Sequence, residues 1–465
     1  MDTILNEDAE VLGDALKEGY KARFKKVAVV GFGYVGTVLS VFLAERGFKV
    51  FAVEKQVDVV RKVVSGVPHL KEPGVFEPLQ EFLRKGVLNV GGSYSCVSEA
   101  DAILITVGTP LGENFAPNLE AVERTVEDIS KHLHSGQLIV LKSTVSPGTT
   151  RSLVASMLKQ KGIEPGRDVF LAYSPERLAE GNAMNEVRSL PVVVGGYDGA
   201  STEMAASFWE SAGLRVVRLK SLEAAELTKL ADNVWIDVNV ALTNELARIC
   251  ESMDVDAMDV IAAANTLPKG GGHVNFLVPG IGVGGSCLTK DPWFLVSLAN
   301  AKGVTVRIPQ VARMVNNDVP AQIVRTVASA LRAKGHVRDS KVAVLGYAFK
   351  GGTSDVRGTP VRRIVSGFLE LGFAAAVYDP WVDAETIMGE CRAKVCGTLR
   401  ECLSEAAALF VAVGHPEFRS LSAEELKKFV RSDCVVYDGG RIFSPKEILD
   451  SGFDYYSPGY FAYKK

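Results

Sequence analysis

The sequence has no long apolar run, no strong net charge and few histidines. Its 465 residues carry a formal net charge of -3, so no basic field favours nucleic acid. The longest apolar run, Ala406 to Val413, is too short to span a membrane and suits a buried strand. The six histidines are scattered, and we expect no metal site. We therefore expect a protein that binds neither nucleic acid nor a membrane.

Cysteines are also few, and their pattern excludes a disulfide framework. The seven cysteines are odd in number and form no CxxC pair. Residues 1–24 are acidic and then basic without an apolar core, so they are no signal peptide. We interpret them as a polar helical extension, and we expect reduced thiols in a cytoplasm. The chain is long enough for two or three domains.

A dinucleotide-binding fingerprint begins the first domain. A β-branched strand, Lys26 to Val30, runs into GFGYVG and then into a predicted helix, Val35 to Arg46. Glycines at this spacing allow a tight turn, close approach of a pyrophosphate to the helix N-terminus, and close helix packing. The residues predicted to meet the cofactor here are Gly31, Gly33, Tyr34, Val35 and Gly36.

An acid follows at the distance that a ribose requires. The strand Lys49 to Val53 ends at Glu54, which lies 18 residues beyond Gly36. A carboxylate accepts the two ribose hydroxyls and repels a 2′-phosphate. The pattern predicts NAD rather than NADP, although the neighbouring Lys55 weakens that preference.

Polar residues follow three later strands. Thr109 comes after the strand Ala102 to Val107, and Thr144 comes after the strand Leu138 to Leu141. Ligands of open parallel sheets lie outside the carboxyl ends of the strands, so both threonines are candidates for the cofactor site. Helix capping is the alternative for each. Beyond a strand at Val169 to Ala172, the segment SPERLAEG presents a further acid and base side by side, Glu176 and Arg177.

The pattern then changes to one long helix, predicted from Leu222 to Cys250 and apolar nearly all round its middle. Four polar residues recur in it at three- and four-residue spacing, which places them on one face. They are Glu226, Lys229, Asn233 and Asp237. Buried charges need partners or a task. One interpretation is a polar seam satisfied by neighbouring subunits, and the other is a catalytic stripe facing Cys287.

Cys287 stands at the end of a flexible, Gly-rich run, in GIGVGGSCLTKD. Lys290 and Asp291 follow it. A thiol beside a cation on such a loop suits a nucleophile. A buried structural cysteine is the alternative.

The start of the chain is repeated near Lys341. KVAVLGYAFK matches KVAVVGFGYV, with Gly346 at the place of Gly31, but the rest of the glycine fingerprint is missing. We predict a second sheet of the same kind that binds something other than a dinucleotide. Cations at strand ends suit a diphosphate, although ordinary surface charges are the alternative. They are Lys350, Arg357 and Arg441.

Seven motifs in this order resemble the nucleotide-sugar 6-dehydrogenases: GFGYVG, VGTP, KSTVSPGTT, SPERLAEG, ELTKLADN, GVGGSCLTKDP and FKGGTSDVRGTP. The resemblance runs from about Lys25 to the C-terminus. It implies an α/β fold with two Rossmann-like domains joined by a long central helix. Its domains are an NAD-binding domain at 25–215, a central helical dimerisation and catalytic domain at 216–330, and a UDP-binding domain at 331–465. It also implies a homodimer or higher homo-oligomer.

The resemblance also implies a chemistry for the site. Cys287 attacks an aldehyde to give a thiohemiacetal and then a thioester, while Lys229 acts as base, with Asn233 as a second donor. Asp291 holds Lys229 or the hydrolytic water, Glu176 steers water to the thioester, and Thr144 binds a water or hydroxyl near the same centre. Arg357 is assigned to the cofactor. The predicted substrate-binding residues are Glu176, Arg177, Leu178, Lys229, Asn233, His273, Asn275, Gly284, Lys350 and Arg441.

The substrate is less narrowly specified. SPER resembles the N-acetylhexosamine enzymes, whereas Ser286 before the cysteine resembles the glucose enzymes, and His273 and Ile236 stand where arginines are common. We favour UDP-N-acetyl-D-mannosamine, with the glucosamine and galactosamine epimers and UDP-glucose as alternatives. Two other classes remain: a two-electron hydroxyacid dehydrogenase of the 6-phosphogluconate type and a catalytically silent NAD-binding protein.

Overall fold

A computed structural model describes residues 23–270 and 272–462. The chain divides into two compact units. The first runs to Asp232 and includes Ser297–Val304, and the second holds Asn233–Val296 and the remainder from Thr305. The predicted N-terminal extension lies outside the described residues, apart from its last two positions. No helix in the described ranges is long and apolar enough to cross a membrane.

The first unit is built on an eight-stranded sheet in the order β3-β2-β1-β4-β5-β6-β7-β8. All neighbouring strands are parallel except the β6–β7 pair. The strands are β1 Lys26–Val30, β2 Lys49–Val53, β3 Leu88–Gly91, β4 Ala102–Ile105, β5 Leu138–Leu141, β6 Phe170–Tyr173, β7 Val192–Gly196 and β8 Val216–Leu219. The α-helices are Tyr34–Glu45, Val57–Val64, Phe76–Arg84, Glu120–Ser130, Ser156–Gln160, Ala183–Ser189 and Gly199–Ser211. Shorter turns of other helix types occupy Tyr94–Glu99, Glu113–Phe115 and Thr150–Ala155.

Apolar residues fill both faces of this sheet. Alternate residues of β1 point to opposite faces, so Val27 and Val29 join one buried cluster and Ala28 and Val30 join the other. Both faces are covered by helices, which is why the inner strands are apolar runs without polar alternation. Polar side chains that serve a site are therefore expected at the ends of the strands, above all at their carboxyl ends.

The second unit contains a seven-stranded sheet in the order β13-β12-β11-β14-β15-β16-β17. The strands are β11 Lys341–Leu345, β12 Ala374–Tyr378, β13 Lys394–Val395, β14 Ala408–Val411, β15 Val435–Asp438, β16 Asp454–Ser457 and β17 Tyr460–Ala462, with a separate hairpin of β9 Pro268–Lys269 and β10 Gly272–His273. Only β16 and β17 pair in antiparallel fashion in the main sheet. The helices are Ala257–Ala264, Ile308–Ala333, Val361–Glu370, Ala384–Glu390, Leu399–Leu403, Ala423–Leu426 and Pro445–Asp450, with a 3-10 turn at Pro416–Ser420. A further helix, Asp291–Ala301, begins in this unit, and its residues from Ser297 onward belong to the first.

The predicted internal repeat is present. The order of the first five strands is the same in both sheets, and Gly31 and Gly346 follow the first strand with φ angles of 97° and 90°. The acid after the second strand also has the same task in each sheet. Glu54 accepts a hydrogen bond from Phe32 N at 2.9 Å, and Asp379 accepts one from Tyr347 N at 2.6 Å. Each acid thus ties down the loop that follows the first strand of its sheet.

A single helix, Leu222–Ser252, joins the two Rossmann-like regions, and we call it the long helix. Within one chain, four of its polar residues are buried while part of its apolar surface is exposed. The polar residues Glu226, Lys229, Asn233 and Asp237 are buried, whereas Trp235, Leu242 and Ile249 are 48%, 51% and 56% exposed. These three apolar residues lie seven positions apart, so they form one stripe. The predicted polar face is the inner face of this helix, and part of its apolar surface points to solvent.

Candidate active site

The fingerprint glycines differ in the space around them. A Cβ on Gly36 would lie 1.9 Å from the carbonyl oxygen of Gly31, so the helix packs against the turn there without room for a side chain. At Gly33, which precedes the helix Tyr34–Glu45, an added Cβ would meet no atom within 4 Å. Gly36 is thus needed for packing, while the open space at Gly33 suits a phosphate at the helix N-terminus. These residues fit a dinucleotide.

The Glu54 carboxylate retains hydrogen-bond acceptor positions for the hydroxyl groups of a ribose. Its two carboxylate oxygens accept backbone hydrogen bonds from Phe32 N at 2.9 Å and Gln56 N at 2.8 Å. A carboxylate has about four lone-pair sites, so acceptor positions remain for hydroxyl groups. Lys55, which weakened the expectation of NAD, is paired with Asp128 at 3.0 Å. Its charge is therefore neutralised beside the site.

The two threonines predicted from the strand ends come together. The Thr109 hydroxyl donates to the carbonyl oxygen of Thr144 at 2.6 Å, which links the loops after β4 and β5. Neither residue caps a helix, because the next helical elements after them have Gly112 and Thr149 as their N-caps. The alternative of helix capping is therefore wrong for both.

Glu176 is fixed at the carboxyl end of β6 by a buried lysine that sequence reasoning missed. One Glu176 oxygen accepts hydrogen bonds from Arg177 N at 2.8 Å and Leu178 N at 3.1 Å. The other lies 3.5 Å from the Lys142 ammonium, which also donates to the carbonyl of Ser174 at 3.2 Å. Burial lowers the pKa of Lys142, and the Glu176 carboxylate opposes that effect. Lys142 directly follows β5, the same position in the sheet that drew attention to Thr144.

The side chains of Arg177 and Leu178 make their contacts within the first unit. The Arg177 guanidinium donates to the carbonyl of Pro191 and lies 3.8 Å from the Asp232 carboxylate. Leu178 packs against the apolar cluster on one face of the sheet. Both side chains help to set the course of the SPERLAEG segment.

The four polar residues of the long helix have different surroundings. Glu226 accepts hydrogen bonds from Gly148 N at 2.5 Å and from Thr150 N at 2.8 Å, and burial raises its pKa. Glu226 therefore has a structural task within the first unit. Lys229 is 7% exposed, and its charge is close enough to disfavour the charge of Lys142. A buried ammonium without a carboxylate contact in the described ranges suits a proton-transfer group.

Asn233, Asp291 and Cys287 are gathered in the second unit. The Asn233 amide donates to one Asp291 oxygen at 2.5 Å, and the Lys290 ammonium contacts the other at 2.6 Å. Asp291 N in turn donates to the Cys287 carbonyl at 2.9 Å, at the start of the helix Asp291–Ala301. Cys287 is exposed, and its thiol lies 3.9 Å from the Ser286 hydroxyl. The alternative of a buried structural cysteine is therefore wrong, and the thiol is accessible.

Glycines let the segment before Cys287 lie against the repeat motif at Lys341. A Cβ on Gly284 would lie 2.7 Å from Cβ of Phe349, and Gly285 N donates to the Arg357 carbonyl at 3.0 Å. Gly285 has φ 87°, a conformation that other residues rarely adopt. Lys350, which follows Phe349, is exposed.

The segment carrying His273 and Asn275 is held through its backbone. Asn239 on the long helix donates to the Asn275 carbonyl at 2.7 Å and accepts from Leu277 N at 2.8 Å. Asn265 binds Phe276 on both its N–H and its carbonyl, at 2.7 and 3.0 Å. His273 is exposed in the β9–β10 hairpin. The two asparagines were missed, because their sequence contains no motif that separates them from ordinary helix residues.

Arg357 and Arg441, predicted from strand ends in the second unit, form internal ion pairs. The Arg357 guanidinium is bidentate on Asp355, with Nε at 2.9 Å from each oxygen. Arg441 contacts Asp256 at 3.2 Å and the Pro458 carbonyl at 2.6 Å, with φ 45°. Lys350 is exposed to solvent. No group of three or more His, Cys, Asp or Glu side chains in residues 23–270 and 272–462 is arranged to hold a metal.

Three family models match successive parts of the chain. They are described as the NAD binding, central and UDP binding domains of the UDP-glucose/GDP-mannose dehydrogenase family, and they match residues 25–212, 223–318 and 343–445.

Individual relatives match over most of their length. A UDP-N-acetyl-D-mannosamine dehydrogenase from Pyrococcus horikoshii is 32% identical over 419 residues, which cover 90% of this chain and 96% of the relative. A solved structure of a UDP-D-ManNAc dehydrogenase from the same organism has a TM-score of 0.83 at 31% identity, covering 93% and 99% of the two chains. A UDP-glucose dehydrogenase structure from Pyrobaculum islandicum has a TM-score of 0.82 at 28% identity, covering 94% and 98%.

Proposed function

Because the chain belongs to the UDP-glucose/GDP-mannose dehydrogenase family and is an NAD-dependent oxidoreductase, we propose that it oxidises C6 of a UDP-N-acetylhexosamine to the carboxylate. The favoured substrate is UDP-N-acetyl-D-mannosamine, the substrate named for the Pyrococcus horikoshii relative. The observation that carries the proposal is an accessible thiol next to an amide–carboxylate pair. Cys287 is exposed, and its neighbour Asp291 binds the Asn233 amide at 2.5 Å.

The reaction removes four electrons, so an aldehyde forms on the way. When bound, NAD accepts a hydride in each half of the reaction. Lys229, as the neutral amine, takes the proton of the C6 hydroxyl and becomes the ammonium, and the Asn233 amide donates to the oxygen as charge develops on it. The Cys287 thiolate then adds to the aldehyde carbon. The resulting thiohemiacetal becomes a thioester on loss of the second hydride, and Glu176 directs the water that releases the acid.

The cofactor is proposed to bind at the fingerprint, where Glu54 retains acceptor capacity and Gly33 leaves space for the pyrophosphate. Thr109 and Thr144 follow adjacent strands of the same sheet. The UDP moiety is proposed to contact the second unit through the exposed Lys350 and the backbone near Gly284. Arg357 and Arg441, predicted for the cofactor and the substrate, have carboxylate partners of their own, Asp355 and Asp256.

UDP-glucose is the second candidate. Ser286 precedes the cysteine as in the glucose enzymes, and the UDP-glucose dehydrogenase structure has nearly the same TM-score as the mannosamine relative, 0.82 against 0.83. NADH formed per UDP-sugar consumed separates the candidates, with UDP-N-acetylmannosamine, its epimers and UDP-glucose offered separately. We expect two NADH per sugar on UDP-N-acetylmannosamine. One NADH per sugar, or none on any of them, would contradict the proposal.

We also propose that the protein is a homodimer in the cytoplasm. The stripe of Trp235, Leu242 and Ile249 exposes apolar surface that a second copy would cover. All seven cysteines are free thiols, as a reducing compartment maintains them. Light scattering should report a dimer for the wild type and a monomer for Leu242→Glu. Met388→Glu, at an exposed apolar residue elsewhere in the second unit, is the matched control, and a dimeric Leu242→Glu would refute the interface.

A further inference from the structure

Both ends of the loop that carries the nucleophile are held by side chains. We call Gly280–Leu288 the cysteine loop. At its start, Gly280 N donates to the Asn244 side-chain oxygen at 2.9 Å. At its end, the Leu288 carbonyl accepts from Nη1 of Arg313 at 3.3 Å. The interior contains Gly282 and Gly285, with φ angles of 116° and 87°. A loop this rich in glycine has little stiffness of its own, so these contacts at its ends, together with the bond from Gly285 N to the Arg357 carbonyl in its interior, decide where its thiol lies.

The two contacts belong to one continuous hydrogen-bonded chain. Asn244 donates to the Asn316 oxygen at 3.2 Å, and Asn316 donates to the Asp237 carboxylate at 2.8 Å. The same carboxylate oxygen accepts from Nη1 of Arg313 at 2.7 Å. Nη2 of Arg313 donates to the side chain of Asn317 at 2.6 Å. The path therefore runs from one end of the cysteine loop, through the long helix and the helix Ile308–Ala333, to the other end.

The four side chains that link the two ends of the loop are buried. The exposed fractions are 0% for Asp237, 1% for Asn316, 2% for Arg313 and 4% for Asn244. Burial raises the pKa of Asp237, while the Arg313 charge acts to lower it. One Asp237 oxygen and Nε of Arg313 have no hydrogen-bond partner among the described residues. Burying an ion pair costs free energy that packed apolar side chains would not, so stability alone does not account for this one.

A purely structural role would be to fasten the helix Ile308–Ala333 to the long helix. That role requires the contacts of Asp237 with Arg313 and Asn316, but it does not require the contact of Arg313 with Leu288. Leu288 adjoins the nucleophile in sequence, and its carbonyl orientation is coupled to the position of Cys287. Arg313 is the right residue type for this task, because its planar group donates in several fixed directions at once.

We propose that Arg313 is a positioning residue for Cys287. Held by Asp237, it fixes the Leu288 carbonyl and thereby keeps the thiol where it captures the aldehyde. This inference rests on the proposed function. It implies that Arg313 matters for the second oxidation, in which the thiol reacts, and not for the first hydride transfer.

Arg313→Lys is the decisive variant. Lysine keeps the positive charge beside Asp237, so the buried carboxylate stays compensated, but its single ammonium cannot reproduce the fork that spans Asp237, Asn317 and Leu288. We expect the first hydride transfer in a single turnover to be unchanged. Uronate formation should fall roughly 10- to 100-fold, the effect of a small misplacement of a reacting group. Aldehyde should escape and be captured by an added alkoxyamine, and NADH per sugar should fall below two.

Two further variants complete the test. Arg325→Lys is the matched control, because Arg325 lies on the same helix but is exposed and 3.9 Å from its partner Asp318. It should behave as the wild type. Asn244→Leu releases the Gly280 end without touching the ion pair, and it should leak aldehyde in the same way. If Arg313→Lys does not fold, Asn244→Leu serves as the test in its place. Two NADH per sugar and no captured aldehyde in the variant tested would overturn the inference.

A second measurement separates this inference from the proposed function. The rate at which iodoacetamide alkylates Cys287, followed on its own peptide by mass spectrometry, needs no turnover. A changed rate in Arg313→Lys, with Arg325→Lys unchanged, supports the positioning role even if the wild type forms no second NADH. An unchanged rate contradicts the positioning role even if the four-electron reaction is demonstrated.

Discussion

Substituting Gly33 by alanine separates cofactor binding from folding. An added Cβ would meet no protein atom within 4 Å, and the φ of -76° at this position is available to any residue. Alanine at a helix N-cap costs about 0.5 to 1 kcal/mol relative to glycine. Alanine also lowers the conformational entropy of the unfolded chain, which stabilises the folded state by about 0.4 to 1 kcal/mol. The stability of the cofactor-free variant should therefore stay within about 1 kcal/mol of the wild type.

The same methyl group stands where the pyrophosphate approaches the helix N-terminus. Overpacking of this kind costs about 1 to 3 kcal/mol, so the dissociation constant for NADH should rise roughly 5- to 150-fold. Fluorescence titration with NADH and thermal unfolding measure the two quantities. Gly36→Ala is the contrasting variant, because its Cβ would lie 1.9 Å from a backbone oxygen and would destabilise the protein itself. Wild-type NADH affinity in Gly33→Ala would refute the placement of the cofactor.

Three other variants test separate features. Cys287→Ala should bind NAD normally, yield one NADH per sugar and form no uronate; full uronate production would remove the thioester mechanism. Burial acts to raise the pKa of Asp379, but His415 and backbone donors lower it below its usual value. The stability contributed by the ionised Asp379 is thus present above about pH 4 and is lost as pH falls through the lower native pKa. Asp379→Asn should therefore weaken the fall of the unfolding free energy at acid pH, measured by urea unfolding at a series of pH values. The same pH dependence as the wild type would contradict this. Glu72 accepts from Tyr34 and from two backbone N–H groups, so Glu72→Gln should lower the free energy of unfolding by about 1 to 3 kcal/mol; an unchanged denaturation midpoint would show that these bonds contribute little.

Local patterns in the sequence were sufficient for several strands of the two sheets. Lys26–Val30, Lys49–Val53 and Leu138–Leu141 are strands with the predicted bounds. The predicted strand Ala102 to Val107 ends early, at Ile105, and the Thr106 hydroxyl donates to the Gly31 carbonyl at 2.7 Å. Runs of apolar, β-branched residues report burial on both faces, which is a property of each strand alone.

The site was predictable only where a motif carries it. The fingerprint and the cysteine segment were found because glycines mark backbone that must bend or approach a ligand closely. Arg313 was missed, since it contacts Asp237 across 76 residues of sequence. Nothing in its local spacing distinguishes it from a surface arginine on an amphipathic helix. The same holds for Glu72, which binds Ala183 N across 111 residues.

The two halves of the chain share a strand order and one acid-to-loop contact. If both sheets descend from one duplicated unit, the bond from an acid to the loop after the first strand was inherited by both, since Glu54 and Asp379 each make it. Recognition of a ribose would then be a later use of a carboxylate that already shaped its own loop. Replacing the acid in either half would then disturb the loop after the first strand, independently of which nucleotide that half binds.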